Sequence, residues 1–322
     1  MSGLEDNGLG IVIPVYYPPD LDKSLIRHAL QETLQCQDAY CPLSRCLLVV
    51  DRATPADEIL SDAPADSPLG QVQVERLQRN RGKAGSVSRG LKALLSREDV
   101  RWIISRDCDG DHLVDDLPRF LRLAREMEER GPLFAIFGAR SSYAKSMGWV
   151  RQEWENLTNA LFLDFLLYLT AQRSQVVDRL YWTRDPLDLQ SGYRLYSRQA
   201  AQVAARGLEA LPDDPLVYSF ANELLPVLDL TLQGGRAGQV PSTTRAGQAF
   251  SSYASLDPVS HYASFFAYLG RRHDLPADVL CRLLDSRLGE SELFWSDHRQ
   301  QVLRFRRLLC PDADPFSPPR HV

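Results

Sequence analysis

No stretch of this chain is apolar for long enough to cross a bilayer. The most apolar segment, Ala160 to Ala171, is too short and carries Asp164, so it reads as a buried helix. Positive charge is also scarce: 37 lysines and arginines face 42 aspartates and glutamates, a net charge of −5 that leaves no broad basic surface. Nucleic acid is therefore not expected as a partner. Met1 to Gly10 is polar and acidic, without a basic start and an apolar core, so no secretion signal is expected. The expected place of action is the cytoplasm, the inner face of a membrane included. The six cysteines, at 36, 41, 46, 108, 281 and 310, lack the close pairs of a zinc ribbon, and Cys36, Cys41 and Cys46 are widely spaced with no fourth ligand. Reduced, mostly buried thiols are the expectation.

What remains is an ordinary globular composition, 44% hydrophobic and 25% charged over 322 residues, enough for one large domain or one domain with an extension. Its most informative stretch is Trp102-Ile-Ile-Ser-Arg-Asp-Cys-Asp-Gly-Asp-His112. A short apolar run ending in Asp107, Asp109 and Asp111 predicts a buried strand that delivers acids to the rim of a sheet. Alternate residues of an extended segment share a face, so Asp107 and Asp109 can address one point while Cys108 packs away from it. Two adjacent carboxylates repel, and Mg²⁺ or Mn²⁺ carrying a diphosphate is the usual compensation. A solvated acidic turn would share the letters. A calcium loop of the EF-hand type does not fit, because His112 and Pro118 stand where its Gly and Glu belong. An aspartyl-phosphate phosphatase of the haloacid-dehalogenase type, with Asp107 as nucleophile, fits locally and stays open.

The chain before this stretch alternates strands with helices. Gly10 to Tyr16, Arg45 to Val50 and Val72 to Leu77 predict strands, with helices over Asp22 to Leu34, from Thr54, and over Ser86 to Ser96. That rhythm predicts a parallel α/β sheet, whose ligands sit at the carboxyl ends of the strands. Asp20, Asp51, the turn Arg79-Asn-Arg-Gly-Lys-Ala-Gly85 and the Asp107 to Asp111 acids all follow strands there. The basic turn is no Walker loop and no Gly-x-Gly-x-x-Gly, but its glycines, the helix start behind it and Arg79, Arg81 and Lys83 suit an anion as well as they suit solvent.

The succession Ile-Val-Ile-Pro-Val-Tyr16, Val-Val-Asp51, Arg79 to Gly85 and Asp107-x-Asp109 resembles the family 2 glycosyltransferases of GT-A fold. Asp188-Leu-Gln-Ser-Gly-Tyr-Arg-Leu-Tyr-Ser-Arg198 is similar to the segment typical of the dolichyl-phosphate mannosyltransferase branch, and Phe220-Ala-Asn-Glu223 with Val240-Pro241 resembles the closing helix and strand of that catalytic domain. The resemblance covers roughly residues 9 to 245. It implies a Rossmann-like, mostly parallel sheet flanked by helices in a nucleotide-sugar-binding catalytic domain over 1–245. Pro14, Tyr16 and Asp20 would border the nucleotide and Asp51 its base. Arg81 and Lys83 would face the donor, as would Asp107 at the ribose or diphosphate. Asp109, with Asp107, would hold the metal; Gln190, Ser191, Gly192 and Arg194 would line the sugar and diphosphate. Glu223 and Asp188 would be the catalytic carboxylates, Glu223 taking the acceptor proton.

Departures from the family pattern are visible at Tyr17-Pro-Pro-Asp20, where Tyr-Asn-Glu is usual, at Asp51-Arg-Ala-Thr54, and at Asn222, which replaces one acid of a Glu-Asp pair. Leu133 to Phe137 predicts a further strand followed by a Gly-x-Arg turn at Arg140, and Val150 to Val177 a long helix. Residues 246–322 fit the family poorly and predict an α-helical extension, with helices at His261 to Arg272, Ala277 to Leu288 and Ser291 to Leu309, and a frayed Pro-rich end from Pro311. Phe294, Trp295 and His298 are expected in its core. The combined expectation is a metal-dependent, inverting glycosyltransferase using GDP-mannose or UDP-glucose and an unidentified small-molecule, glycan or lipid-phosphate acceptor. The altered loops keep a non-catalytic nucleotide-sugar-binding scaffold as an alternative, and a homodimer is left open.

Overall fold

Branched apolar residues fill the strands at the centre of the molecule, and both faces of each are covered. The computed structural model describes residues 8–51, 54–140, 148–183, 188–243 and 257–311. The amino terminus up to residue 7, Arg52–Ala53, the expected boundary at 245/246 and the tail from residue 312 lie outside them. The strands are β1 (Leu9–Val15), β2 (Cys46–Val50), β3 (Gln73–Arg76), β4 (Trp102–Ser105), β5 (Phe134–Arg140), β6 (Arg194–Ser197) and β7 (Arg236–Ser242). They form one sheet in the order β3-β2-β1-β4-β6-β5-β7. Neighbours run parallel except at β6, which is antiparallel to both β4 and β5. The strand–helix rhythm predicts the parallel strands, and the mostly parallel sheet flanked by helices is the one the resemblance implies.

Successive side chains leave a strand on opposite faces, and the sheet divides its core accordingly. Ile11, Ile13, Leu48, Val50 and Ile104 pack on one side with helices α1 (Lys23–Leu34), α2 (Ala56–Ser61), α3 (Pro68–Gln71) and α5 (Leu117–Glu129). Val12, Leu47, Val49 and Ile103 pack on the other with α4 (Gly82–Leu95), α6 (Trp149–Gln172), α7 (Arg198–Glu209) and α8 (Pro215–Thr231). The carboxy-terminal helices α9 (Pro258–Arg272), α10 (Ala277–Leu288) and α11 (Arg299–Leu309) join that second cluster through Tyr262, Phe266, Leu284 and Phe305. Among the described residues, no helix is long and apolar enough to cross a membrane.

Several expectations are corrected. Helix α4 begins at Gly82 rather than Ser86, because Asn80 Oδ1 accepts the Gly82 N–H at 2.8 Å and satisfies the opening turn. The long helix ends at Gln172, where Arg173 and Ser174 turn back on Thr170 and Ala171 carbonyls. Gly138-Ala-Arg140 is the end of β5, not a turn. The stretch 291–309 splits into a 3₁₀ turn, Glu292–Trp295, and α11. Cys281 and Cys310 are paired rather than reduced, with Cα atoms 5.7 Å apart, since the α10–α11 hairpin joins positions whose 29-residue separation carries no sequence signal. Trp295, expected in the core, is 73% exposed, its indole N–H held by the Gly289 carbonyl at 3.0 Å.

Helix α4 lies unusually close to the sheet. A Cβ on Gly90 would stand 2.3 Å from Val12 Cγ1 and 3.1 Å from Val49 Cγ2. Gly90→Ala is therefore expected to lower the free energy of unfolding by about 1–3 kcal/mol, read from denaturant titration, despite its better helix propensity. His273, at the carboxyl end of α9 and edge-on to Phe165, has its pKa pulled down to about 4 by burial and by Arg272 and Arg173. The unfolded chain binds a proton there more readily than the folded one, so this contribution is intact above the ordinary histidine pKa and is lost as pH falls toward 4. At pH 5 the expected loss is about 1–2 kcal/mol, and His273→Gln removes that part of the pH dependence of the melting temperature.

Candidate active site

In a sheet of this order the strand ends on either side of β1 part and leave a crevice at the carboxyl edge. Around that edge the chain places Tyr16 and Asp20, both exposed, after β1; Asp51, 2% exposed, after β2; and the Arg106 to Asp111 turn after β4. Pro14 lies buried within β1 itself. Backbone bonds fix the relation of these loops: Asp51 N–H donates to Val15 O at 3.0 Å, and Tyr17 N–H to Thr54 Oγ1 at 3.2 Å. The buried Tyr17 hydroxyl donates to Cys108 O at 2.5 Å, tying the first loop to the acidic turn.

Lys83 brings distant carboxylates together. Its Nζ, in the first turn of α4, lies 2.7 Å from Asp107 Oδ1 and 3.1 Å from Glu223 Oε1, the latter in the middle of α8. Glu223 is 7% exposed, and its Oε2 is buried with no hydrogen-bond partner among the described residues. Burial works against the Lys83 charge, but Asp107 and Glu223 outweigh it and its pKa is raised. Burial likewise opposes the Asp107 carboxylate, and Lys83 and His112 outweigh it and hold it down at about 2. Asp109, half-buried, goes the other way: burial and the charge of Asp107 push it up to about 6. His112 is pulled by burial down to about 3, so its ring is neutral and Nδ1 accepts the Asp107 N–H at 3.2 Å.

The other two basic residues of the turn face elsewhere. Arg79 pairs with Asp213 at 3.0 Å, and Arg81 Nη2 reaches Leu211 O at 3.5 Å, both beyond α7. Arg81 thus stands beside the lysine without joining its carboxylates.

The Asp188 to Gly192 turn that leads into β6 does approach the centre, but by its backbone. A Cβ on Gly192 would fall 2.2 Å from Asp107 Oδ2, so glycine is what lets the turn close on that carboxylate. Asp188, expected to be catalytic, is fully buried and receives Arg140 through its N–H at 3.0 Å, Nε at 2.8 Å and Nη2 at 2.5 Å. It holds the turn to β5. Arg194, expected on the donor diphosphate, is also fully buried, its guanidinium donating to the carbonyls of Leu189 (2.5 Å), Ser191 (2.8 Å), Asn222 and Glu223 (2.7 Å each). It clasps the turn to α8. Gln190 is bound on every side of its amide, and Ser191 Oγ accepts the Tyr193 N–H at 3.3 Å.

Some contributors escaped sequence reasoning. Glu155, on α6, accepts from Arg140 at 2.7 Å and Arg151 at 2.9 Å, completing the buried network behind Asp188. Arg106 runs beneath the acidic turn to Gln37 Oε1 at 2.8 Å and to His112 O, and Tyr193 stacks on His112 at 4.9 Å. An arginine between a strand and an acidic turn was the available signal for the second of these.

For a divalent cation, the chemistry of the donors is informative. Among the described residues no group of three or more His, Cys, Asp or Glu side chains is placed to cage a metal. Asp107 and Asp109 offer hard oxygen ligands, and the raised Asp109 is a charge that a cation would relieve. Two carboxylates suit an ion that keeps waters and arrives with substrate phosphates.

The arrangement is that of an α/β sheet whose carboxyl edge carries a charged cluster. No protein-family model matches the chain, and no curated protein matches it in sequence. Among solved structures it is similar to glucosyl-3-phosphoglycerate synthase from Mycobacterium tuberculosis in complex with uridine diphosphate, at 15% identity over 83% of this chain and 80% of that one, with a TM-score of 0.44. It is also similar to S. aureus TarS 1-349, at 12% identity over 93% of this chain and 71% of that one, with a TM-score of 0.41.

Gly192→Ala should force Asp107 away from Lys83. The expected outcome is a rise of about one unit or more in the Asp107 pKa, followed by carboxyl-carbon NMR, with a stability loss of about 1–3 kcal/mol. An unmoved Asp107 titration would show that the two backbones separate instead.

Proposed function

We propose that the chain is a GT-A glycosyltransferase of family 2 type, which moves a sugar with inversion from a nucleoside-diphosphate sugar, GDP-mannose or UDP-glucose, to an acceptor hydroxyl. The observation that carries this reading is the Lys83 bridge between Asp107 and Glu223 at the carboxyl edge of the sheet. It gathers a cation, a carboxylate at the donor side and a second carboxylate on the same cation. The motif order over residues 9 to 245 supports the same reading, with 246–322 as a helical buttress.

In this proposal Tyr16, Asp20 and Asp51 border the nucleotide, and Asp107 faces its ribose and diphosphate. Glu223 accepts the proton of the acceptor hydroxyl, its carboxylate fixed in direction by Lys83 on Oε1. Attack from that side displaces the diphosphate and inverts the anomeric centre. Lys83 offsets charge that accumulates on the departing diphosphate. Asp109 and Asp107 would hold Mg²⁺ or Mn²⁺, which supplies further positive charge to the leaving group when bound. Asp188, Gln190 and Arg194 act by positioning the turn and α8. The aspartyl-phosphate phosphatase reading is less favoured, because Asp107 follows the fourth strand and its oxygen is occupied by Lys83.

Thermal-shift measurements with UDP, GDP, ADP and CDP, each with and without Mn²⁺, test the reading. One nucleotide is expected to stabilise the protein by about 2–3 kcal/mol at a hundredfold excess over its Kd, only with the metal, and Asp109→Ala is expected to abolish the metal dependence. Indifference to every nucleoside diphosphate in the presence of manganese would sink the proposal. Nucleotide binding with no donor hydrolysis or transfer would favour the non-catalytic scaffold.

A further inference from the structure

A buried primary amide must find partners for two donors and an acceptor, and the residues that supply them lose their freedom with it. Gln190 is 9% exposed. Its Nε2 donates to Thr158 Oγ1 at 2.8 Å and to Asn159 Oδ1 at 3.2 Å, both on α6, and its Oε1 accepts the hydroxyl of Tyr262, a fully buried residue of α9. Two residues further along the same turn, Gly192 touches Asp107 with no space for a methyl group. The amide is thus anchored by two helices on one side, and the backbone it anchors abuts the carboxylate paired with Lys83 on the other.

We propose that Tyr262 is a positioning residue of the site: through Gln190 it holds the Asp188 to Gly192 turn against Asp107, which makes the carboxy-terminal helices part of the site's framework. The purpose of this device rests on the transferase reading, whereas its mechanics rest on the contacts alone. Among the described residues, the carboxy-terminal segment supplies no side chain to the Lys83 bridge. It acts on that bridge by limiting where the turn can go.

Hydrogen–deuterium exchange of the full chain carrying Tyr262→Phe tests this, because the substitution removes one hydroxyl and leaves the ring. Amides in segments 188–193 and 107–112 are expected to exchange about tenfold faster, the factor an ordinary hydrogen bond brings, while segment 46–50 of β2 changes less than about twofold. Protein that turns over a donor should also lose about tenfold in kcat/KM. Unchanged exchange in both segments would overturn the proposal, as would uniform acceleration that includes β2, the mark of a general core residue. If Tyr262→Phe does not fold, Thr158→Val removes a second partner of the same amide and must give the same local pattern, or the proposal fails. Wild-type protein that ignores all nucleoside diphosphates refutes the transferase reading, and exchange still decides the role of Tyr262.

Discussion

An ammonium group lying between two carboxylates is the constraint on which the polar edge of this molecule depends. Residues 83, 107 and 223 belong to a helix start, a strand end and a helix middle, and the Lys83 charge joins the two acids. A half-buried carboxylate without a partner tends to protonate or turn to solvent. Each of the three backbones must therefore be held against the others, and the surrounding contacts do this. Tyr17 and Arg106 brace the acidic turn, Arg194 fastens the neighbouring turn to α8 at Asn222 and Glu223, and Gly192 removes the side chain that would stand in between.

Much of this bracing is ionic and buried. Arg140 lies between Asp188 and Glu155, and Arg151 reaches the same glutamate. Buried pairs of this kind return little net stability after desolvation, while loss of one member strands the other's charge. Their contribution here is geometric: rotamers of long side chains are fixed, and with them the path of a turn that has no regular secondary structure of its own.

The fold was largely legible because its strands are apolar runs closed by polar residues. β1, β2 and β4 could be read from those runs alone, and with them the placement of Lys83, Asp107 and Asp51 at the carboxyl edge of the sheet. That Glu223 shares Lys83 with Asp107 follows from how α8 packs on α4, which no local pattern of residues shows. The buried contacts of Asp188 to Arg140 and of Arg194 to four carbonyls were not legible, because a sequence shows the type of a side chain and not its direction. An arginine that binds four carbonyls and one that binds a diphosphate are the same letter. The Cys281–Cys310 pair and the exposure of Trp295 were illegible for a related reason, since both follow from how α10, α11 and the 3₁₀ turn stack in space.

One reversed strand carries a consequence for how such a chain can vary. Because β6 runs against its neighbours, the turn entering it, and not its far end, reaches the Lys83 bridge. Insertions and deletions ahead of Arg194 would thus reshape the surroundings of the bridge directly, while at the opposite rim Ser197 passes straight into α7 and caps it, with Arg198 on the carbonyls of Leu95, Arg97 and Val100, so the chain has no slack there to lengthen or shorten.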